Sequence, residues 1–351
     1  MAKYDYRGII HCHSTYSDGT GDMEEIARAA NEAGLDFVMM TDHDQTKPLE
    51  DGRDRYEGSV LMICGLEVTP SANHYVAFGE GKLRDPEKLK EMKPQEYIDA
   101  LNAQGWFGFI AHPEQGGSQR FGLPPHRWED WNVNGYAGMS VWDLMTDWLG
   151  QVDRDEATIK AYSDFQDWLS GPRIETLRRW DALNLKRKVV GIGELDNHRY
   201  RKEFDGRMVE IFPYEVAFRT ISNHVLLDRP LDRDYRKARS QILEAVRHGN
   251  LYISFDYWDD PTEFSFEIDN GERVAGMGDT IELGRERTEL VASFSEEGLL
   301  NVYRNGESVL EDEGNEILIE IAEPGVYRVE AMRNDIVWVL SNPVFVKARE
   351  A

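Results

Sequence analysis

The sequence has only two cysteines, Cys12 and Cys64, so no disulfide framework can staple it and a reducing, cytoplasmic setting is expected. No run of 18 apolar residues occurs, which leaves no candidate for a spanning helix. The opening stretch, MAKYDYRGII, lacks the cationic and then apolar segments of a signal peptide, and none is expected. Positive charge is also short: Lys+Arg total 40 against 65 Asp+Glu, a formal net charge of −25. Duplex nucleic acid needs clustered cations on its partner, and so does an anionic membrane surface; neither partner is expected. Internal repeats and low-complexity tracts are missing too. What is present is 351 residues, 41% of them hydrophobic, enough for a large core and too many for wholesale disorder.

The first 200 residues alternate short apolar runs with amphipathic segments. RGIIHCH, LDFVMMTDH, VLMICGLEVT, HYVAFG, WFGFIAHP and KRKVVGIGELDNH read as strands, several apolar enough to be buried on both faces. DMEEIARAANEAG reads as a helix ended by Gly34, and PQEYIDALNAQG as another. Strands alternating with helices predict right-handed crossovers and an α/β architecture. A helical, Trp-rich insertion is expected at about 126–185, its tryptophans serving as core and subunit-contact residues rather than as a stack for substrate. After the helix DYRKARSQILEAVRHGN, closed by Gly249 and Asn250, only short alternating runs remain. They predict a small all-β, sandwich-like region of about 95 residues. The division is placed at 1–254 and 255–351. The second part holds no histidine; it is expected to pack on the first and leaves room for a homodimer.

Most of the nine histidines stand at strand ends beside carboxylates. His11 and His13 are two apart, which on a regular strand places both imidazoles on one face. Asp18 follows in a turn, with helix N-capping as the competing reading for it and for Asp22. His43 ends TDH, Glu67 ends CGLE, His112 ends AHP, and Asp196 and His198 repeat the two-apart spacing in ELDNH. His74 precedes its strand, but the short TPSAN turn from Glu67 can bring it to the same rim. In a parallel barrel the C-terminal strand ends converge, and sites are built there. One histidine at a strand end is ordinary; two paired motifs with further ligand-type residues, all at strand ends, point to a metal centre. Imidazole and carboxylate donors without thiolate suit Mn, Fe or Zn.

HCHSTYSDG, TDH, GLE, HYVAFG, AHP and ELDNH, in this order, resemble the motifs of the PHP (polymerase and histidinol phosphatase) superfamily. The resemblance implies a distorted (β/α)7 barrel and a hydrolase of phosphate esters with one to three metals. Carried over residue by residue, His11, His13, Glu67 and Asp196 resemble the ligands of a first metal, and Asp18, His43 and His198 those of a second. Glu67, as a bridge, with His74 and His112 resembles those of a third. No family ligand position is vacant, which favours three divalent ions per chain. GMSVWDLMTDW, the stretch around SNHVLLDRPL and GVYRVEAMRNDIVWVLSNPVFV further resemble the CehA/McbA-type metallohydrolases, which append a β-domain to the barrel; Glu194 and Leu195 stand where a small residue is common in that group.

Three divalent ions would bring six positive charges against three from Asp18, Glu67 and Asp196, and a bridging hydroxide would leave about +2. That favours a small anionic phosphate mono- or diester, attacked by the metal-bridging hydroxide. The alternatives are a carbamate or carboxylic ester hydrolase of the CehA/McbA type, and a non-catalytic binding module with a relic metal site. Arg219 and His224 are the candidates for a phosphate clamp and a general acid, against the plain alternative of a surface arginine and a structural histidine. His126 is read as a loop histidine without a role, with lining of the site entrance as the alternative.

Overall fold

The computed structural model describes residues 3–118, 123–152, 164–204, 206–257, 261 and 263–349. Strand β1 (Tyr4–Cys12) leads into helix α1 (Met23–Ala33), β2 (Phe37–Met40), the single turn α2 (Lys47–Glu50), β3 (Arg55–Glu57) and β4 (Val60–Cys64). The chain goes on through β5 (Leu66–Val68), β6 (Tyr75–Gly79), α3 (Pro94–Asn102), β7 (Trp106–Ile110), β8 (Gly138–Asp143), α4 (Leu144–Val152), α5 (Ile174–Asn184) and β9 (Val190–Glu194). A hairpin of β10 (Tyr200–Phe204) and β11 (Arg207–Ile211) precedes α6 (Tyr214–Ala217), β12 (Ile221–Leu227), α7 (Tyr235–His248) and β13 (Leu251–Phe255). The helix ends follow local chemistry. Asp22 caps α1 by accepting from Glu25 N while the Glu25 carboxylate accepts from Asp22 N, and Gly34 closes it at a φ of 73°. Asp22 thus takes the capping role, and Asp18 does not.

Two sheets carry the first part. In one, β1, β2 and β4 run parallel and β12 lies antiparallel beside β1. In the other, β5, β6 and β7 are antiparallel neighbours, and β7, β8 and β9 are parallel. The chain crosses between them at Gly65, where a Cβ would lie 2.3 Å from the carbonyl oxygen of Ala77, closer than any side chain allows. Two isolated bridges, Cys12 with Asn197 and His43 with Glu67, join the sheets again, at the edge where most of the ligand-type residues stand. The insertion expected to be helical contains β8, whose six residues are all buried. An apolar strand between β7 and β9 overrides the helical reading there. Its residues 153–163 lie outside the described ones. Trp128, Trp142, Trp148 and Trp180 are buried in the core, and Trp131 and Trp168 pack against it.

From Leu251 onward the described residues form strands only: β14 (Ser265–Asp269), β15 (Val274–Gly276), β16 (Thr280–Glu282), β17 (Glu289–Arg304), β18 (Glu307–Glu320), β19 (Gly325–Arg333), β20 (Ile336–Ser341) and β21 (Val344–Lys347). Not all of the runs are short: β17 covers 16 residues, with an irregularity between Ser293 and Gly298. These strands enclose an apolar cluster of their own, including Phe266, Leu290, Val302, Val329 and Trp338. The sheet does not break at 254/255: β13 pairs with β12 on one side and β20 on the other. Buried side chains reinforce the join. Asn342 donates to the carbonyls of Gly191 and Leu251 and accepts from Gly191 N, and Arg328 grips both oxygens of Asp181 at 2.8 and 2.9 Å. No helix among the described residues is long and apolar enough to cross a membrane.

Candidate metal centre

The strand ends that meet at the two bridges are bent. The register of β1 against β2 shifts between Ile10 and Cys12, and His11 has a φ of 75°. The regular alternation expected to align His11 with His13 is therefore absent; a bulge turns both rings inward, with centroids 5.0 Å apart. His112 (φ 25°) and Asp196 (φ 48°) are also in the left-handed region. Such backbone costs about 1–3 kcal/mol per residue and persists where packing imposes it. The loop from His13 to Asp18 is pinned by buried Asp42, which accepts from the backbone N and Oγ of both Ser14 and Ser17.

Three overlapping groups of donors result: His11, His13, Glu67 and Asp196; His13, Asp18, His43 and His198; and Glu67, His74 and His112. All nine residues singled out as ligands fall into them. Asp196 Oδ1 lies 3.2 Å from Nε2 of both His11 and His13. Asp18 Oδ1 is 3.2 Å from Nε2 of both His43 and His198. Glu67 divides its oxygens. Oε2 faces His11 at 3.2 Å, His13 at 3.5 Å and His43 at 3.0 Å, whereas Oε1 faces His74 at 2.9 Å and His112 at 3.1 Å.

The residues fit divalent ions on three counts. His11 Nε2, His13 Nε2, Glu67 Oε2 and Asp196 Oδ1 are buried and close together, yet none makes an aligned hydrogen bond, which is how lone pairs stand when they converge on a point between them. The field is cation-seeking. Burial alone would lower the histidines, but Glu67, Asp196 and Glu194 raise His11 well above its usual value; Asp18 and Glu67 lift His43 to about 10, and Glu67 with Glu194 lifts His112 to about 9. His13 goes the other way, lowered by burial and by His198 and His43, so it offers a neutral ring. Burial would raise Glu67 and Asp196, but the surrounding imidazoles hold both well below the carboxylate range. Finally, acceptors on the far side fix the tautomers. Pro70 O takes the Nε2 proton of His74, Asp196 O the Nδ1 proton of His198, and Glu194 the Nδ1 proton of His11, leaving each opposite nitrogen free to ligate.

Glu194 is the main residue that the sequence reading missed. It is fully buried, lies 3.0 Å from His11 Nδ1 and accepts from the backbone N of His112, so it holds two ligand-bearing segments at once. Asp143, raised to about 7 by burial and then by Glu194, stands behind it. The only sequence signal was an acidic residue where the resembling group has a small one. Of the two readings of His126, lining of the entrance is the one the structure shows: it lines the cavity over the centre, its ring tilted against that of His74 with centroids 4.5 Å apart.

Arg219 and His224 do not reach the site, and neither lines that cavity. Arg219 donates to Glu32 O. His224 is buried opposite Arg7 on β1, 3.0 Å from Asp5 and 3.6 Å from Asp256, and stacked on Tyr252. His224 stands on β12 opposite Arg7, four residues before His11 on β1, and Arg219 lies just before β12. Tyr200 occupies the place sought for a rim residue: it stacks on His198 with centroids 4.7 Å apart and donates to Asp18 Oδ2 at 3.4 Å.

Comparison with known proteins bears on this arrangement. Residues 10–111 match the PHP domain. The PHP match takes in His11, His13, Asp18, His43, Glu67 and His74, and His112 directly follows it. No curated protein matches the chain. Among solved structures, a two-domain protein of Bacteroides vulgatus, described as containing a predicted PHP-like metal-dependent phosphoesterase, is similar over 97% of this chain and 95% of its own, at 15% identity and a TM-score of 0.46. A protein of Bifidobacterium adolescentis to which metal-dependent phosphoesterase activity is attributed is similar over 58% of this chain and 90% of its own, at 15% identity and a TM-score of 0.39. PsfC of Pseudomonas syringae is similar over 72% of this chain and 91% of its own, at 12% identity and a TM-score of 0.40.

Proposed function

We propose that the chain is a metal-dependent hydrolase of small phosphate esters that holds three divalent transition ions. One observation carries the reading: three donor groups share the floor of a single cavity, and the two oxygens of Glu67 are split between two of them. Bound ions would supply Lewis acidity, neutralising phosphoryl oxygens and acidifying water near neutral pH. The chain's own residues do the rest. Glu194, Pro70 and the carbonyl of Asp196 orient three imidazoles, Asp42 fixes the loop that carries Asp18, and Tyr200 holds the outer oxygen of Asp18. With this reading goes the view that the two sheets, closed by the bridges at His43 and Asn197, are one distorted (β/α)7 barrel, and that residues 255–351 are an appended β-domain.

Turnover by the Mn-loaded protein of p-nitrophenyl phosphate, bis-p-nitrophenyl phosphate and 1-naphthyl acetate tests the function. Phosphate ester turnover that disappears with chelator is the expected result. Turnover of the acetate alone would replace the reading with a carboxylic ester hydrolase. Less than one equivalent of metal after reloading would leave a binding module.

A further inference from the structure

The cavity above the metal-binding groups has a volume of about 380 Å³, and its walls are not alike. One side is apolar. Met145 and Leu149 are four residues apart on α4 and so share a face, and Leu123 with Pro124 continues that side. Helix α4 is held firmly. Asp143 accepts from the backbone N of Met145 and Thr146, and Asp147 accepts from the backbone N of Ser170 and Gly171 and from Trp142 Nε1. The Leu123–Pro124 segment is held as closely: Gly117 has a φ of 64°, and a Cβ there would fall 2.5 Å from Leu123 O. The cavity is also lined by two acceptors without partners. Gln115, 93% buried by its 7% exposure, has an unpartnered Oε1, and His126 has a buried, unpartnered Nδ1.

Resting on the phosphoesterase reading, we infer that this cavity is a specificity subsite for the alcohol part of the ester: one ring-sized apolar group that carries a hydrogen-bond donor. The apolar side rewards removal of ring carbon from water, whereas a methyl or glyceryl ester leaves Met145 and Leu149 uncovered. A donor on the ring satisfies Gln115 Oε1 or His126 Nδ1, and a ligand that buries them without one incurs the desolvation penalty of an unpaired acceptor. The volume sets the limit, with room for a phosphoryl group and a single ring but not for an extended chain.

Calorimetric binding of non-hydrolysable phosphonates to the Mn-loaded full chain tests this without turnover. Phenylphosphonate is expected to bind about 30-fold tighter than methylphosphonate, the gain from burying most of one ring face, and at least one of 3- and 4-hydroxyphenylphosphonate about 5-fold tighter again. Leu149→Asn should shrink the phenyl-to-methyl ratio, and Gln115→Leu the gain from the hydroxyl, with metal content at the wild-type level in both. Equal binding of methyl- and phenylphosphonate overturns the subsite and leaves the phosphoesterase reading intact. Binding of neither overturns both. Should Leu149→Asn fail to fold, the wild-type ligand series alone decides.

Discussion

Replacing Glu67 with glutamine keeps the shape of the side chain and removes one charge from the place where two donor groups meet. The magnitude follows from the geometry. Two unit charges 4 Å apart at an effective dielectric of about 20 interact by about 4 kcal/mol. Each oxygen of Glu67 carries about half a charge and would face an ion of charge two, so loss of the carboxylate costs the group on Oε2 and the group on Oε1 about 4 kcal/mol each. That is about a thousandfold in affinity for either ion. The group of His13, Asp18, His43 and His198 meets Glu67 through His43 Nδ1 at 3.0 Å and His13 Nε2 at 3.5 Å, but it has the carboxylate of Asp18 as its own and should keep its metal. Elemental analysis after equilibration with limiting Mn should then give about one ion per chain for Glu67→Gln, about two for His112→Ala and three for the parent protein. Full metal in Glu67→Gln together with loss of every ion in His112→Ala would refute the split-oxygen geometry and with it the shared centre.

Three other outcomes follow from residues around the site. His224 is raised to about 9 because Asp256 and Asp5 outweigh its burial; its charged form therefore stabilises the fold fully below pH 6.5, by about 3 kcal/mol, and this fades as pH rises to about 9. His43 and His112 are raised as well, so between pH 6 and 9.5 urea unfolding should show a loss about 3 kcal/mol smaller in His224→Gln than in the parent protein, and parallel profiles would contradict it. Asp42→Ala strands four donors from Ser14 and Ser17 and should cost about 3 kcal/mol or more in urea unfolding; a change under 1 kcal/mol would mean that the loop is held otherwise. Gly19→Ala would put a Cβ 2.3 Å from His13 O, so the Asp18 loop must move. Metal counting should show one ion fewer, with the groups that contain Glu67 still filled.

Seven of the nine clustered residues were legible in the sequence because they stand in short motifs at strand ends, HCH, TDH, CGLE, AHP and ELDNH, and strand direction carries those ends to one edge. The helix α1 was legible too, since Asp22, Glu25 and Gly34 are a start and a stop that need no tertiary partner. The two-apart spacing of His11 and His13 points to one site, but a bulge with a positive φ, not strand alternation, turns them inward, and no local pattern announces a backbone that packing forces into a costly conformation.

Only the tertiary structure decided the rest. Glu194 serves His11, which lies 183 positions away, and Asp42 serves Ser14 and Ser17 across two strands; a carboxylate's role depends on which distant donors surround it, and spacing carries none of that. Arg219 and His224 carry chemistry by residue type, yet the fold pairs Arg219 with Glu32 O and His224 with Asp5 and Asp256. The sequence pattern changes from helix-and-strand to strand-only near 254/255, while the backbone pairing of β12, β13 and β20 is continuous there. Hydrophobic period reports how each strand is buried, whereas sheet continuity depends on which backbone edges meet, and that is fixed only when the whole chain has folded.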